Sequence, residues 1–297
     1  MSINLELYKV FYHVIKEGSF SKAANALYVS QSAISQAIKS LEEQLSQQLI
    51  IRLPRGIKLT KSGEVLFSHV EPAFNIIVSG EKQLTAINNM KRGVVTLSAS
   101  DTICMYYLPK YLTKFNKAYP DISIKIFNRT TSETIAILKK GIAEIGLINI
   151  HNDVDNSLIV LKKEQLQDCF FVSKKSGIDT SKKYSLFEIS KLPLILLEKG
   201  TSTRDHIDSF FNKTNIILKP EIELGSVDLL IRYATLNMGV ICVAKQYVTQ
   251  SPYKEQLVQL KISLEIPKRY IGIVKLKNVP ISKASSEFLD IIIKDNV

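Results

Sequence analysis

Cysteine is scarce in this 297-residue chain, and Cys104, Cys169 and Cys242 are odd in number, far apart and free of any CxxC pair. That pattern argues against a disulfide framework and a thiolate zinc site, and it reads as three packed thiols; a redox sensor is the alternative. Histidine is equally sparse, and His13, His69, His151 and His206 show no metal-ligand spacing, so no metal is expected. Long apolar runs are missing too. No stretch approaches the roughly 18 apolar residues of a membrane span. The opening MSINLELYKV has no basic segment followed by an apolar core, so the expected compartment is the cytoplasm, with no membrane partner. Catalytic signatures are also absent: there is no GxGxxG, GxSxG, Walker sequence or paired His and Cys motif. No catalytic residue is assigned, no cofactor is expected, and an enzyme is disfavoured.

What is present is an ordinary folded composition, 45% hydrophobic and 23% charged, long enough for two or three domains. The formal charge of +11 suits a nucleic-acid partner, because Lys and Arg release counterions from phosphate. Its distribution weakens that inference. The first 92 residues carry 11 Lys and Arg against 7 Asp and Glu, so only +4 of the excess lies there. Solubility or a basic ligand pocket would explain the rest.

The most informative stretch is Ser19 to Ser40, SFSKAANALYVSQSAISQAIKS, which reads as two short helices joined by a tight turn. Ala23, Ala24 and Leu27 lie one turn apart in the first, with Ser21 as its expected N-cap. Ser30 is the expected cap of the second, whose apolar positions Ala33, Ile34, Ala37, Ile38, Leu41 and Leu45 recur at helical spacing. The other face carries Gln31, Ser32, Ser35, Gln36 and Lys39, side chains able to bond base edges and phosphates, whereas Glu42 and Glu43 would be repelled by phosphate. A polar face is common on any surface helix, so the flanks matter. Leu5, Tyr8, Phe11, Tyr12 and Ile15 form the stripe of a preceding helix that ends at Gly18. Downstream, LIIRLPRGIKLT reads as two short strands around a turn, with Arg52, Arg55 and Lys58 projecting. Three helices and a basic hairpin make a winged helix-turn-helix.

Residues 3 to 67 resemble the DNA-binding domain of the LysR-type transcriptional regulators. The likeness is carried by EGSFSKAANALYVSQSAISQAIKSLEEQL and RLPRGIKLTKSGEVLF, with Ser32 standing where the family usually has Pro. The resemblance implies Gln31, Ser32, Ser35 and Gln36 in the major groove, Ser21 on phosphate and the Arg52 to Lys58 wing on the backbone or minor groove. It also implies double-stranded DNA with an inverted-repeat operator, pairing through a linker helix, assembly as a tetramer and contact with RNA polymerase.

From Thr60 or Ser62 a long helix is expected, because Leu66, Val70, Ala73, Ile77, Gly80, Leu84 and Ile87 follow a heptad seam. Pro72 and Gly80 interrupt its propensity, yet the seam favours a second copy of the helix as partner. Asn88 to Gly93 would be a flexible joint. Beyond Val94 strands alternate with helices, in the order VVTLSAS, SIKIFNRT, EIGLINI and then CFFVSKK, LILLEKG, EIELGS and GVICVA, which predicts mostly parallel sheets covered by helices. This part resembles the family's two-lobed effector domain, related in fold to periplasmic binding proteins. The expected organisation is a winged helix-turn-helix at 1–60, a linker at 61–92 and an α/β effector domain at 93–297. Its lobes would span about 93–161 with 267–297, and about 162–266, with crossings near Leu161 to Glu164 and Leu264 to Pro267.

In such sheets ligands sit beyond the carboxyl ends of strands, where helix starts offer unpaired N–H groups. Four junctions here carry hydroxyls: Ser98 to Thr102, Thr130 to Glu133, Gly200 to Arg204, and Gly225-Ser226. Any one could be a plain helix cap, and Thr130 with Glu133 reads as a capping box. Several together, with Arg204 nearby, suggest a small anion, although Asp101 would oppose one unless it pairs with Arg204 or Arg129. The resemblance places the effector at Ser100, Thr102, Thr130, Thr131, Thr201, Ser202, Thr203 and Ser226.

Overall fold

The structure, a computed structural model, describes residues 3–54, 56–87, 93–150 and 154–295. The chain divides into two compact units, one formed by residues 1–88 and the other by almost all of the remainder. In the first, α1 (Leu5–Glu17) begins at Asn4, whose side chain accepts from the Glu6 N–H, and ends at Gly18, where φ is +65°. It buries Phe11, Tyr12 and Val14 against α2 (Phe20–Leu27) and α3 (Gln31–Leu45). Ala23 and Ala24 on α2 are both buried and small enough to let helices cross closely. The inward face of α3 is Ile34, Ile38 and Leu41, each withdrawal from water stabilising the unit by about 1.5–3 kcal/mol. Ala33, expected on that face, is exposed, so the apolar stripe is narrower than its spacing implied.

The wing is the antiparallel pair β1 (Ile50–Arg52) and β2 (Ile57–Leu59). Glu42 holds its entry, because its Oε1 accepts from the N–H groups of Leu49 (2.7 Å) and Ile50 (3.1 Å). Glu42 is therefore a fastening for the wing and not a bare charge facing phosphate. At the exit, the Thr60 hydroxyl donates to the Gln48 carbonyl and accepts from the Gly63 N–H, capping α4 (Lys61–Ile87). Pro72 lies inside α4 without ending it. The heptad seam divides. Leu66 and Val70 pack into the core of the first unit, as do Phe67 and Phe74 beside them, while Ala73, Ile77 and Leu84 are exposed. The side chain of Ile87, residues 88–92 of the expected joint and Arg55 lie outside the described residues.

The second unit begins with β3 (Val94–Ala99), α5 (Asp101–Tyr106), α6 (Leu108–Ala118), β4 (Ser123–Asn128), α7 (Thr131–Lys139), β5 (Ile145–Ile150) and β6 (Leu158–Leu166). It crosses into β7 (Asp168–Ser173), β8 (Lys183–Tyr184), α8 (Leu186–Ile189), β9 (Leu194–Leu197), α9 (Ser202–Asn212), β10 (Ile222–Leu224) and α10 (Val227–Thr235). Then follow β11 (Val240–Ala244), α11 (Lys245–Gln250), β12 (Leu257–Gln259) and β13 (Lys261–Ile262) before β14 (Arg269–Leu276) and α12 (Lys283–Lys294).

Two five-stranded sheets result, ordered β4-β3-β5-β14-β6 and β10-β9-β11-β7-β12. In each, two strand pairings are parallel and two antiparallel, because one strand, β14 or β7, runs against the other four, so the expected mostly parallel sheets are mixed ones. The antiparallel strands are those flanking the crossings, where the chain leaves one sheet for the other. The first crossing is also corrected. Leu161 to Glu164 lie inside β6, paired along β14 from Leu158 with Leu276 to Leu166 with Arg269, so the chain changes lobes at Gln167. Lys162, Lys163 and Glu164 sit in an edge strand, whose one wet face takes such residues readily.

At the crossing, two buried charges meet. Arg269 at the start of β14 donates from Nε (2.6 Å) and Nη2 (2.9 Å) to the carboxylate of Asp168 at the start of β7, and from Nη1 to the Asn149 side chain of β5 (2.7 Å). Both members of the ion pair are 1% exposed. Burial opposes the guanidinium charge, but Asp168 outweighs it and holds the Arg269 pKa above its ordinary value.

Two expected outcomes follow from these contacts. A Cβ on Gly63 would lie 2.1 Å from the Leu49 carbonyl oxygen, so Gly63→Ala should destabilise the first unit by about 1–3 kcal/mol in thermal unfolding. Unchanged unfolding would show that the wing and α4 have room to separate. Asp168→Asn strands a buried guanidinium and should cost the second unit about 3–5 kcal/mol in urea denaturation, whereas a surface pair would lose less than 1 kcal/mol.

Candidate nucleic-acid interface and effector cleft

The cap of α2 is Ser19, which accepts from the Lys22 N–H, and not Ser21 as expected. Phe20 decides the phase, since its burial makes it the first helical residue. Ser21 is left exposed on the first turn, where its hydroxyl donates to Gln31 Oε1 (3.0 Å) and ties α2 to the start of α3. Ser30 caps α3 through the Ala33 N–H (3.2 Å) and shares a hydrogen bond with the Ser32 hydroxyl (2.8 Å). Ser35 accepts from Arg52 Nη2 (3.2 Å), and the Arg52 guanidinium lies 4.1 Å from the centroid of the Phe20 ring. Arg52 thus joins α3 to the wing, as Glu42 does at the wing's entry.

Between them is a shallow groove of about 290 Å³ lined by Phe20, Ser35, Gln36, Lys39, Glu42 and Arg52. Gln36 is exposed and has no side-chain hydrogen bond among the described residues. Lys39 is exposed and 3.7 Å from Glu43, a weak solvent-facing pair that leaves its charge available. Lys58 is exposed on β2. The expected interface residues that are described therefore gather on α3, the start of α2 and the wing. Five are already engaged within the protein: Ser21 with Gln31, Ser32 with Ser30, and Ser35 with Arg52. Such bonds fix side-chain directions before any ligand arrives.

In the second unit the hydroxyl junctions separate into two groups. Thr130 forms the capping box with Glu133, accepting from its N–H (3.4 Å) while the Glu133 carboxylate accepts from the Thr130 N–H (3.0 Å). Thr131 accepts from the Asn149 N–H, and Thr201 caps α9 while donating to the Glu198 carbonyl. These three hydroxyls hold the fold. By contrast Ser100 and Ser226 occupy the cap positions of α5 and α10 without a side-chain cap bond, and Ser100 Oγ is a buried oxygen with no partner among the described residues. Thr102, Ser202 and Thr203 likewise make no side-chain hydrogen bond among the described residues. Thr203 is itself buried.

Arg204 departs from expectation. Its side chain is 1% exposed and donates to Asp208 (2.9 Å), the Leu197 carbonyl (2.8 Å) and Glu223 (2.5 Å). Burial opposes its charge, and Glu223 and Asp208 more than restore it, raising its pKa. An arginine spent on two carboxylates braces α9 against the sheet and is not a free anion ligand. Asp101 pairs with neither arginine; it accepts from Asn128 Nδ2 (3.1 Å).

Several residues that join the lobes gave no sequence signal by spacing. Tyr106 of α5 donates to Asp228 of α10 (2.5 Å) and stacks on Tyr247 of α11, with ring centroids 4.9 Å apart, so the two lobes are bridged beside Ser100 and Ser226. Burial and the bond to Asp228 raise the Tyr106 pKa, so the hydroxyl keeps its proton and remains the donor. A lone charge opening an apolar strand, as in Arg269 before YIGIVKL and Asp168 before CFFVS, was the one available hint of the crossing. The cysteines do not form a pair. Val243 is opposite Cys169 and Phe170 opposite Cys242 on β7 and β11, so the two thiols project from opposite faces. Burial raises the pKa of Cys104, pushes Cys169 up to about 11 and raises Cys242 well above its ordinary value, which suppresses thiolate.

Comparisons with known proteins agree with these two assemblies. Residues 5–64 match the bacterial regulatory helix-turn-helix protein, lysR family, and residues 88–296 match the LysR substrate binding domain. A probable RuBisCO transcriptional regulator of Nostoc sp. is 25% identical over 97% of this chain and 87% of its own length. Among solved structures, full-length CbnR complexed with its target DNA superposes with TM-score 0.65 at 16% identity, covering 99% of this chain and all of that one. The Synechocystis CcmR regulatory domain in complex with 2-PG gives 0.60 at 16% identity over 68% of this chain and 96% of that domain. The structural likenesses carry the fold; the matched domains, one after the other, carry the family. This chain belongs to the LysR family, as a DNA-binding transcriptional regulator with an effector-binding domain.

Proposed function

We propose that this regulator acts in the cytoplasm as a dimer reading an inverted-repeat operator, and that a small anionic effector held between the α/β lobes sets its output. The observation that carries the DNA half is the single surface made by α3 and the wing, with Arg52 bonded to Ser35. The N-terminal half of α3 offers Gln31, Ser32, Ser35 and Gln36 to base edges, while Lys39, Arg52 and Lys58 supply phosphate contacts; Arg55 and Ser21 join the same set from the resemblance. Exposure of Ala73, Ile77 and Leu84 on α4 supports pairing through that helix. A pair of recognition helices then faces half-sites one duplex turn apart. Tetramer formation and contact with RNA polymerase are inferences from the family, and no enzymatic step or cofactor enters this reading.

The effector half rests on neutral donors. Ser100, Thr102, Ser202, Thr203 and Ser226 are the unengaged hydroxyls of the expected set, and they lie at helix starts that favour negative charge. Thr130, Thr131, Thr201 and Arg204 support the site from behind. A ligand preferring one arrangement of the lobes shifts its population, and linkage carries that shift to the DNA-binding domains.

On an operator recovered by selection, Gln31→Ala should cost about 1–3 kcal/mol of discrimination over mixed-sequence duplex, while Lys39→Ala should weaken both DNAs alike. Equal losses for Gln31→Ala would contradict base reading by its amide. For the cleft, thermal unfolding against sulfate, phosphate, small carboxylates and acylated amino acids should find a ligand that stabilises by about 2.7 kcal/mol at 100 times its dissociation constant. Thr203→Val should abolish the shift. A panel with no response would contradict the anionic class.

A further inference from the structure

We propose that Tyr28, in the turn between α2 and α3, is a contact to the DNA backbone, its hydroxyl donating to a phosphate oxygen and its ring lying on the neighbouring sugar. The proposal rests on the regulator reading and adds to it a residue outside the recognition helix and the wing.

Two features of Tyr28 have no explanation inside the fold. The first is backbone conformation. Helix α2 ends with the Tyr28 N–H on the carbonyls of Ala24 and Asn25 and the Val29 N–H on Ala24, a closure that requires a left-handed residue at 28, where φ is +55°. Gly18 meets the same requirement at the end of α1. The other described non-glycine residues with positive φ are Ser46, Asn215, Asn237 and Asn278, all short and polar. Those side chains enter this region at least cost, whereas a bulky aromatic there is an outlier. The second feature is exposure. Tyr28 is 95% exposed, and its side chain makes no hydrogen bond, ion pair or ring contact among the described residues. An aromatic ring that is strained into place and buries nothing contributes nothing to folding.

Its position says what it meets. The turn leads directly into Val29, Ser30 and Gln31, the start of the helix whose N-terminal residues face the groove. In this motif the first helix crosses the sugar-phosphate backbone while the second enters the groove, so the intervening turn lies over the backbone. Tyrosine suits that place: it donates to phosphate and packs on the deoxyribose without adding charge. Because a phosphate contact carries no sequence information, its effect is the same on operator and non-operator DNA.

Tyr28→Gly and Tyr28→Phe in the full-length chain test the proposal with a mixed-sequence duplex as probe, followed by fluorescence anisotropy across a salt series, and with thermal unfolding of the protein alone. Tyr28→Gly should raise Tm, since glycine relieves the left-handed strain, yet bind the duplex about five- to tenfold more weakly. Its salt dependence should match that of the wild type, because no cation is lost. Tyr28→Phe should fall between the two in affinity with Tm unchanged. Wild-type affinity in Tyr28→Gly, or a Tm below wild type, would overturn the assignment, the latter by giving the ring a role in the fold. A wild-type chain that binds no DNA, or binds without salt dependence, would overturn the regulator reading and this proposal with it.

Discussion

The second unit depends on the ion pair of Arg269 with Asp168 at the place where the chain changes sheets. Each residue opens a strand, one in either lobe, and Asn149 of β5 takes the remaining guanidinium edge. With both charges removed from water, neither can be relaxed without leaving the other unsatisfied, so the crossing is fixed in register and direction. Ser100 and Ser226 stand at the starts of α5 and α10, the two helices joined by Tyr106 and Asp228, while Arg204 is committed to Asp208 and Glu223.

The first unit solves a related problem with weaker bonds. Its interface must keep several short side chains in defined directions on an exposed helix, where entropy favours disorder. Single contacts at the edges do this: Ser21 orients Gln31, Ser30 orients Ser32, and Arg52, lying on Phe20, orients Ser35. Glu42 and Thr60 fasten the wing at its two ends. In both units internal hydrogen bonds and ion pairs hold the candidate groups in place.

Local features were legible in the sequence and long-range ones were not. Ser30 as a cap, the turn of α2 into α3, the basic hairpin and Thr60 at the head of α4 follow from neighbouring residues, and the structure has them. Two serines flank Phe20, and only packing of that ring selects Ser19 over Ser21 as the cap. For Arg204, Asp208 is visible one helical turn away in the sequence, but Glu223 comes from another strand, and it is the pair that takes the guanidinium out of use as an anion ligand. The partners Arg269 and Asp168 lie 101 residues apart, beyond the reach of any periodicity. Strand β6 hid behind its charged outer face.

The central claim, that two recognition helices read DNA as a symmetric pair, is tested most directly by repeated selection of this protein on random duplex DNA, followed by sequencing. The account predicts enrichment of an inverted repeat whose half-sites are centred about one duplex turn, or a whole number of turns, apart. Enrichment of a single unpaired half-site, or no enrichment above the starting pool, would contradict it.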